Sequence, residues 1–405
     1  MGRVAAPQET PRVPFRGRPT GEVISPRYGE AALADLVPSF LAGLRVPGFR
    51  DVLEIGPVRQ AVLLVADGLG FELVRRHRHL APFLSQALDG SGPLTTGFPS
   101  TTSVSLSSIG TGLPPGEHGV VGYTMGLPPL PRAMNMLQWA LHGKPADDLR
   151  EVVVPETFFG GPTAFERAVA AGVSVDLVGP VDLAHTGLTR STLRGGRYRG
   201  TRDGRSLVDQ AVRALAEGGP RGAFVYTYHP TLDNRGHLFG VDSPEWRETL
   251  QAVDRLAQQL ANAMPPDSVL AVTGDHGMVD VPRQNQLDLA DHPALRAGVR
   301  FLGGEPRARH VYTRPGATPQ VLDAWRQVLG EGWWVVTGEE AIARGWFGPE
   351  LADSVRARIG DVVAAAFGPY AVMQRQVFRP ETELIGHHGS LTPEEALVPQ
   401  LIVRR

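Results

Sequence analysis

Residues 61–68 read AVLLVADG, an apolar run that ends in an aspartate and a glycine. Comparable apolar runs occupy 173–178, 223–228 and 269–273, and each is flanked by glycine or polar residues. Short continuous runs of this kind are typical of strands that are buried on both faces, as in a parallel sheet. The four runs therefore predict the strands of one buried sheet.

The segments between these runs carry apolar residues at helical spacing. The predicted helices cover 71–88, 103–110, 163–171, 206–217 and 245–263. Residues 30–44 show the same spacing, although Pro38 predicts a break there. Alternating strands and helices form right-handed βαβ units. We therefore expect an α/β fold with a doubly wound, mostly parallel central sheet flanked by helices, together with a smaller insert or cap.

The chain divides into three parts by its patterning. Residues 1–28 are proline-rich and lack periodicity, which predicts an extended or disordered arm. Residues 29–280 and 385–405 form the predicted α/β catalytic domain. Residues 281–384 have looser patterning, and we interpret them as an insert or cap, after which the chain returns to the main sheet.

Composition excludes several classes of function. The 405 residues are 42% hydrophobic and 20% charged, with a net charge of −2, as in ordinary soluble globular proteins. No nucleic acid polymer or anionic membrane is therefore expected as a partner. The absence of cysteine excludes disulfides and thiol chemistry. No secretion signal or apolar span of about 18 residues is found, so a cytoplasmic location is expected.

Polar residues follow two of the predicted strands directly. Asp67 comes after the run at 61–66, where it could be a metal ligand or an ordinary turn and helix-capping residue. Asp275 and His276 follow the run at 269–273. An adjacent carboxylate and imidazole can both reach one cation, which favours the ligand interpretation. Because ligands gather at the carboxyl ends of strands in open α/β sheets, we expect these residues to converge.

A second group of candidate ligands lies farther along the chain. Asp233 and His237 are four residues apart, which places both on one side of a helical turn. Near the end of the chain His387 and His388 are adjacent, and from the sequence either could be the ligand.

Residues 98–108 read FPSTTSVSLSS and are dense in hydroxyl groups. Serine and threonine cap helix N-termini, and a helix N-terminus also holds anions through its free N–H groups and its dipole. A threonine hydroxyl there, next to a divalent cation, would lose its proton readily and could attack phosphorus.

Taken together, these motifs resemble those of the alkaline phosphatase superfamily, specifically its nucleotide pyrophosphatase/phosphodiesterase branch. They occur in the order typical of that branch across residues 61–389. The motifs that carry the resemblance are DG at 67–68, FPSTT at 98–102, TGLPPGEHG at 111–119, DNRGH at 233–237, GDHGM at 274–278 and HG at 388–389.

The resemblance implies an alkaline phosphatase-like fold and two divalent metal ions, with Zn²⁺ as the first expectation and Mn²⁺ also suitable. It implies Thr102 as the nucleophile, with Thr101 as the alternative one position away. One metal would be held by Asp67, Thr102, Asp275 and His276. The other would be held by Asp233, His237 and His388.

The implied reaction is hydrolysis of a phosphodiester or nucleotide-type anhydride through a phosphorylated Thr102. The expected substrate is a small phosphate ester or a nucleotide-like molecule. Three residues after the implied nucleophile, the phosphodiesterase branch usually has an asparagine that donates to a phosphoryl oxygen, whereas this chain has Ser105. We assign Ser105 to substrate binding. Because its hydroxyl reaches less far, the substrate preference stays open.

Other functions remain open from the sequence. A phosphomonoesterase would need a further cation near the metals, for which Arg235 and His229 are the candidates. A phosphomutase of the same superfamily and a catalytically silent scaffold are more distant alternatives. A sulfatase is disfavoured because its usual precursor residue is a cysteine. The sequence does not indicate an oligomeric state.

Overall fold

The computed structural model describes residues 23–89 and 92–405, so most of the predicted arm at 1–28 lies outside the described residues. A six-stranded sheet forms the centre of the fold. Its strands lie in the order Leu401–Arg404, Ser268–Thr273, Gln60–Ala66, Ala223–His229, Ser174–Pro180 and Arg197–Thr201. All neighbouring pairs are parallel except the first, which is antiparallel. The predicted mostly parallel sheet is confirmed.

Helices cover both faces of the sheet because side chains of the central strand alternate between two cores. Leu63 and Val65 pack into one core, and Leu64 and Ala66 into the other. The helices on the first face are Leu33–Gly43, Thr102–Thr111, Ala164–Ala170 and Gly187–Thr192. The helices on the second face are Phe71–Arg76, Pro82–Leu88, Gly204–Ala216 and Pro244–Ala263. The arrangement is doubly wound, as predicted.

Two predicted helices differ in detail. The segment 71–88 forms two helices because Pro82 begins the second, and a residue that precedes proline is disfavoured in a helix. The break expected at Pro38 is wrong, since the helix Leu33–Gly43 continues through it. Burial of Val37, Phe40 and their neighbours in the core outweighs the cost of a proline inside a helix, which is about 3 kcal/mol.

A second sheet lies within residues 281–384. It is antiparallel, and the helix Thr318–Leu329 packs against it. Its strands follow the order Val299–Glu305, Ala308–Thr313, Val362–Ala366 and Trp333–Thr337. Trp346 and Phe347 from this region pack on Phe98, with ring centroids 4.8 and 5.6 Å apart. The division into a catalytic domain and a cap stays a prediction, and the two share part of one core.

Short elements complete the described chain. The remaining α-helices are Pro115–His118, Pro155–Phe158, Thr231–Phe239, Pro293–Arg296, Gly338–Ala343, Asp353–Arg356 and Pro393–Ala396. The 3₁₀ turns are Val181–Leu183, Arg283–Asn285, Leu289–Asp291, Gly330–Gly332 and Arg379–Glu383. The small sheets pair Leu94–Thr95 with Leu397–Val398, Val279–Asp280 with Gly386–His387, Gln286–Asp288 with Ala371–Met373, and Thr124–Met125 with Met134–Asn135 and Ala140–Leu141. No helix in the described part of the chain is both long and apolar enough to cross a bilayer.

A buried ion pair ties the second sheet to the loops at the end of the main sheet. Arg307 lies between two strands of the second sheet and donates two hydrogen bonds of 2.7 Å to the carboxylate of Glu395. Both side chains are buried. Glu395 Oε1 also accepts the N–H of Ser390, and the Glu395 carbonyl accepts the N–H of Gly277. This ion pair therefore fixes the second sheet relative to the loops that carry Gly277 and Ser390.

Two buried histidines are held neutral by the fold. The N–H of Val120 donates to His118 Nδ1, so the proton of a neutral His118 is on Nε2, which lies 3.0 Å from Ser108 Oγ. Burial lowers the pKa of His118 to about 3. His310 Nδ1 accepts the N–H of Gly360, and burial lowers its pKa to about 4.

The lowered pKa values of these two histidines predict that acid destabilises the folded protein. In the unfolded chain their pKa is about 6.5, so below that pH the unfolded state binds protons that the folded state excludes. Stability therefore falls as the pH drops from about 6.5 towards the folded-state pKa values. At pH 5 each histidine lowers the free energy of unfolding by about 2 kcal/mol. Urea denaturation of metal-free protein between pH 7 and pH 5 measures this loss.

The matched variants are His118→Asn and His185→Asn. The first removes the titrating group while keeping an acceptor for the N–H of Val120, so its stability should depend less steeply on pH. The second changes an exposed histidine and should keep the wild-type slope. An unchanged slope in His118→Asn would rule out the assignment.

Candidate active site

The candidate site lies at the carboxyl ends of three adjacent strands of the main sheet. Asp67 directly follows the strand Gln60–Ala66, and Asp275 follows the strand Ser268–Thr273 after one intervening residue, Gly274. The N–H of Gly68 donates to Asp275 Oδ1 at 3.1 Å, and the N–H of Asp233 donates to the carbonyl of Asp67 at 3.0 Å. The segments that follow the three strands are thus joined by direct hydrogen bonds.

The structure brings all six predicted carboxylate and imidazole ligands together. They form two clusters in which the ligand atoms lie within 4.8 Å of one another: Asp67, Asp275 and His276 in one, and Asp233, His276 and His388 in the other. His237 joins the second, with its Nε2 3.3 Å from Asp233 Oδ2. The expected helical turn carrying Asp233 and His237 is the helix Thr231–Phe239.

His276 lies between the two clusters. Its Nε2 is 3.4 Å from Asp67 Oδ1 and 3.6 Å from Asp275 Oδ2, and its ring stacks on that of His388 at 3.6 Å between centroids. Burial lowers the pKa of His276, but the carboxylates of Asp275 and Asp233 outweigh this, so the pKa is raised.

Backbone carbonyls orient all three histidines in the same way. Nδ1 of His276 lies 2.9 Å from the carbonyl of Gly277, Nδ1 of His237 lies 2.7 Å from that of Gly386, and Nδ1 of His388 lies 2.9 Å from that of Ser100. A carbonyl only accepts, so Nδ1 carries the proton in each neutral ring. Each Nε2 then offers a free lone pair, which is the arrangement that a metal ligand requires.

The carboxylates show that positive charge fits the site. Three of their oxygens are buried without a hydrogen-bond partner among the described residues: Asp67 Oδ1, Asp233 Oδ1 and Asp275 Oδ2. Burial and the carboxylates of Asp275 and Asp233 raise the pKa of Asp67 well above its usual range. Buried carboxylates without partners are costly, and a divalent cation between them would remove the cost. The clusters could therefore bind metal ions.

Thr102 is the first residue of the helix Thr102–Thr111, and its Oγ1 lies 3.1 Å from His276 Nε2. Its side chain borders the site and is 9% exposed, whereas Thr101 is 2% exposed. The side chain of Thr101, which precedes this helix, makes no capping hydrogen bond, and among the described residues the N–H groups of the first turn remain for an anion.

Ser105 is placed differently from a substrate-facing donor. It is fully buried, and its hydroxyl donates to the carbonyl of Asp275 at 2.6 Å. That bond uses its one proton and fixes the turn that carries Asp275 and His276. The predicted role in substrate binding stays a prediction.

The two adjacent histidines occupy different positions relative to the clusters. His388 lies in the second cluster, with Nε2 3.9 Å from Asp233 Oδ1. His387 lies outside both clusters, and its Nε2 is 3.3 Å from the carbonyl of Leu384. Burial lowers the pKa of His387 to about 3.

Two residues at the site were not found from the sequence. Tyr228 is the last residue but one of the strand Ala223–His229 and donates its hydroxyl to Asp67 Oδ2, which leaves Oδ1 free towards the cluster. Glu305 comes from the second sheet, and its Oε2 lies 4.0 Å from His388 Nδ1. Burial raises the pKa of Glu305 to about 7. The only signal for Tyr228 was its position at the end of an apolar run, and Glu305 had none.

Comparison with known proteins identifies the family. A family model described as type I phosphodiesterase / nucleotide pyrophosphatase matches residues 61–391, which include every residue of both clusters. The chain belongs to this family. Membership of the type I phosphodiesterase / nucleotide pyrophosphatase family places the chain among enzymes that hydrolyse phosphoric ester and anhydride bonds.

Solved structures share the family fold. Murine ectonucleotide pyrophosphatase / phosphodiesterase 5 is 17% identical, with a TM-score of 0.64 over 86% of this chain and 88% of that chain. An inactive form of the murine protein in complex with AMP is 18% identical, with a TM-score of 0.63 over 85% and 87%. The human protein is 17% identical, with a TM-score of 0.61 over 85% and 87%. The expected alkaline phosphatase-like fold is confirmed.

A curated relative matches over a shorter region. A phosphopentomutase of Sinorhizobium fredii is 29% identical over 173 residues. The match covers 38% of this chain and 39% of the mutase, so it relates parts of the two proteins.

Proposed function

We propose that this member of the type I phosphodiesterase / nucleotide pyrophosphatase family hydrolyses a small phosphodiester or nucleotide-type anhydride with Thr102 as the nucleophile and two divalent cations as cofactors. The observation that carries the proposal is the position of the Thr102 hydroxyl. It stands at a helix N-terminus, 3.1 Å from a histidine nitrogen that belongs to both clusters of potential ligands.

The donor set supports two metal sites. Asp67, Asp275, His276 and Thr102 would hold one cation, while Asp233, His237 and His388 would hold the other. Carboxylate and imidazole ligands suit Zn²⁺, and Mn²⁺ is also compatible. Bound cations would supply the positive charge that stabilises a deprotonated threonine hydroxyl and the phosphoryl oxygens.

The residues of the chain then define two chemical steps. In the first, a bond forms between Thr102 Oγ1 and phosphorus while the bond from phosphorus to the leaving oxygen breaks. In the second, water hydrolyses the phospho-threonine and restores the hydroxyl. The free N–H groups of the helix Thr102–Thr111 favour the negative phosphoryl group at this position. Tyr228 holds Asp67 in place through its hydrogen bond to Oδ2.

The proposed substrate is a small molecule. The complex of the murine relative with AMP supports a nucleotide-like or other small phosphate ester. A net charge of −2 gives no support to binding of a nucleic acid polymer. The cytoplasmic location stays a prediction.

Phosphomonoester chemistry, including that of a phosphomutase, is the second candidate because of the partial match to a phosphopentomutase. The two residues that could supply a positive charge for a monoester, His229 and Arg235, do not strengthen this second candidate. Burial lowers the pKa of His229, which disfavours a positive charge on this ring. The guanidinium of Arg235 lies over the ring of Phe239 at 5.7 Å. A silent scaffold is disfavoured, since all seven proposed ligands are present and the six carboxylate and imidazole ligands converge.

Hydrolysis of bis-p-nitrophenyl phosphate, compared with p-nitrophenyl phosphate, tests the proposal. We expect diester turnover to exceed monoester turnover, to disappear with a chelator and to return with Zn²⁺ or Mn²⁺. The reverse preference would support the monoesterase. Failure to hydrolyse either substrate, with metal content verified by elemental analysis, would contradict the proposed function.

A further inference from the structure

A cavity of about 190 Å³ opens beside the proposed nucleophile. It lies between the helix Thr102–Thr111 and the ends of the strands Ser174–Pro180 and Ala223–His229. Asp67, Thr102 and Asp233 form its inner end. We call this cavity the apolar pocket. Its position means that a group attached to phosphorus at Thr102 would extend into it.

The walls of the apolar pocket are largely apolar, with a few hydroxyl groups. Aliphatic side chains from four separate segments form them, among them Leu106, Leu137, Leu177, Leu188 and Leu193. Among the described residues, no arginine, lysine, histidine, asparagine or glutamine side chain lines the cavity. Away from the carboxylates at the inner end, a charged or strongly polar substituent would therefore lose its hydration without compensation.

Hydrogen bonds within the chain engage several of the hydroxyl groups that line the apolar pocket. Tyr228 donates to Asp67, and Tyr198 donates to the carbonyl of Pro180 at 2.8 Å. The hydroxyl of Thr186 donates to Thr189 Oγ1 at 3.0 Å. Tyr226 is 4% exposed, and its hydroxyl has no partner among the described residues. A buried hydroxyl of this kind is costly unless a bound molecule pairs with it.

The size of the cavity limits the substituent. A dry cavity of about 150 Å³ binds benzene, so the apolar pocket holds one aromatic ring with a small addition, or a branched alkyl group of similar size. A nucleoside has a sugar as well as a base, and the polar edge of its base needs several hydrogen-bond partners. The walls offer few such partners.

We propose that the apolar pocket binds the ester substituent of the substrate, and that this substituent is a compact, uncharged and largely apolar group instead of a nucleoside. The inference rests on the proposed function, since it assumes that phosphorus lies at Thr102. It narrows the substrate class to phosphate esters of a small aromatic or branched aliphatic alcohol.

Calorimetric binding to the metal-loaded protein tests the inference without turnover. The probes are methylphosphonate, phenylphosphonate and AMP. We expect phenylphosphonate to bind roughly 10- to 100-fold more tightly than methylphosphonate, because each apolar group that fills a pocket contributes strongly to affinity. AMP should bind no more tightly than phenylphosphonate. Equal affinity for the two phosphonates, or tighter binding of AMP, would overturn the inference.

Two variants assign the preference to the apolar pocket. Leu137→Trp narrows the entrance at a residue that is 41% exposed, and Leu188→Phe fills the wall. In each variant the ratio of the two phosphonate affinities should fall at least about 5-fold, a readout that does not depend on the amount of folded protein. Val169→Trp, at a position 45% exposed and outside the pocket, is the control and should keep the wild-type ratio. A wild-type ratio in both pocket variants would contradict the assignment.

The two proposals fail in different ways. If phosphonates bind as expected but no diester is hydrolysed, the proposed function is wrong and the binding pocket stands. If diesters are hydrolysed but AMP binds more tightly than phenylphosphonate, the proposed function stands and the substrate class is wrong.

Discussion

Thr102→Ala is expected to lower the turnover of bis-p-nitrophenyl phosphate by at least about 10³-fold, the scale of loss seen when a nucleophile is removed. The physical reason is that the hydroxyl supplies the oxygen that attacks phosphorus. The metal content should remain near that of the wild type, because the six other proposed ligands are unchanged. Turnover and elemental analysis on the same preparation measure both effects.

Matched variants separate the roles of the two adjacent threonines. Thr102→Ser keeps a hydroxyl at the same position and should restore much of the lost activity. Thr101→Ala removes the neighbouring hydroxyl and should retain turnover to a much greater extent than Thr102→Ala. If Thr102→Ala keeps substantial activity, the nucleophile is Thr101 or a bound water.

Asp275→Asn is expected to lower both metal occupancy and turnover, with a loss of activity on the order of 10³-fold, since stabilisation by a metal is worth several kcal/mol. The variant keeps an oxygen that can accept the N–H of Gly68, so the turn should remain intact. A metal stoichiometry that stayed at two per chain would show that Asp275 is not a ligand.

Thermal melting of the same variant gives a second measurement, because the expected change in melting temperature reverses when metal is added. Without metal, Asp275→Asn removes one of three carboxylates that lie close together, two of which are buried, so the chelated variant should melt above the chelated wild type by about 2 °C or more. With Zn²⁺ present the order should reverse, because a cation bound only to the folded state stabilises it by mass action. Asp254→Asn, a buried aspartate outside the clusters, is the control and should show no such reversal.

The sequence predicted the core of the sheet and the convergence of the ligands for one physical reason. Strands buried on both faces need largely apolar runs, and four of the six strands of the main sheet have them, although the run at 173–178 includes Ser174 and Asp176. Once those strands are placed in a parallel sheet, the residues that follow them meet at one edge. Asp67, Asp233 and Asp275 therefore come together although they are far apart along the chain.

The remaining strands lacked that signal. Arg197–Thr201 lies at the edge of the sheet and is largely polar, and Leu401–Arg404 is short and antiparallel to its neighbour. Edge strands need no second buried face, so no long apolar run marks them. The second sheet within 281–384 is antiparallel and was predicted only as loosely patterned chain.

The finer parts of the site depend on contacts that no local pattern encodes. Glu305 reaches the site from the second sheet, and Tyr226 matters because its hydroxyl has no hydrogen-bond partner within residues 23–89 and 92–405. The hydrogen bond from Ser105 to the carbonyl of Asp275 depends on the packing of a helix against a distant turn. Such contacts depend on tertiary packing, which sequence spacing does not give.

The buried pair of Arg307 with Glu395 has a consequence for synthesis on the ribosome. A nascent chain that has emerged as far as residue 300 already contains Asp67, Asp233 and Asp275, but it lacks His388 and the pair that anchors its loop. Co-translational folding would therefore bring mutually repelling acids together before their final imidazole partner is available. We expect cation loading to follow the emergence and docking of the segment that carries His388 and Glu395.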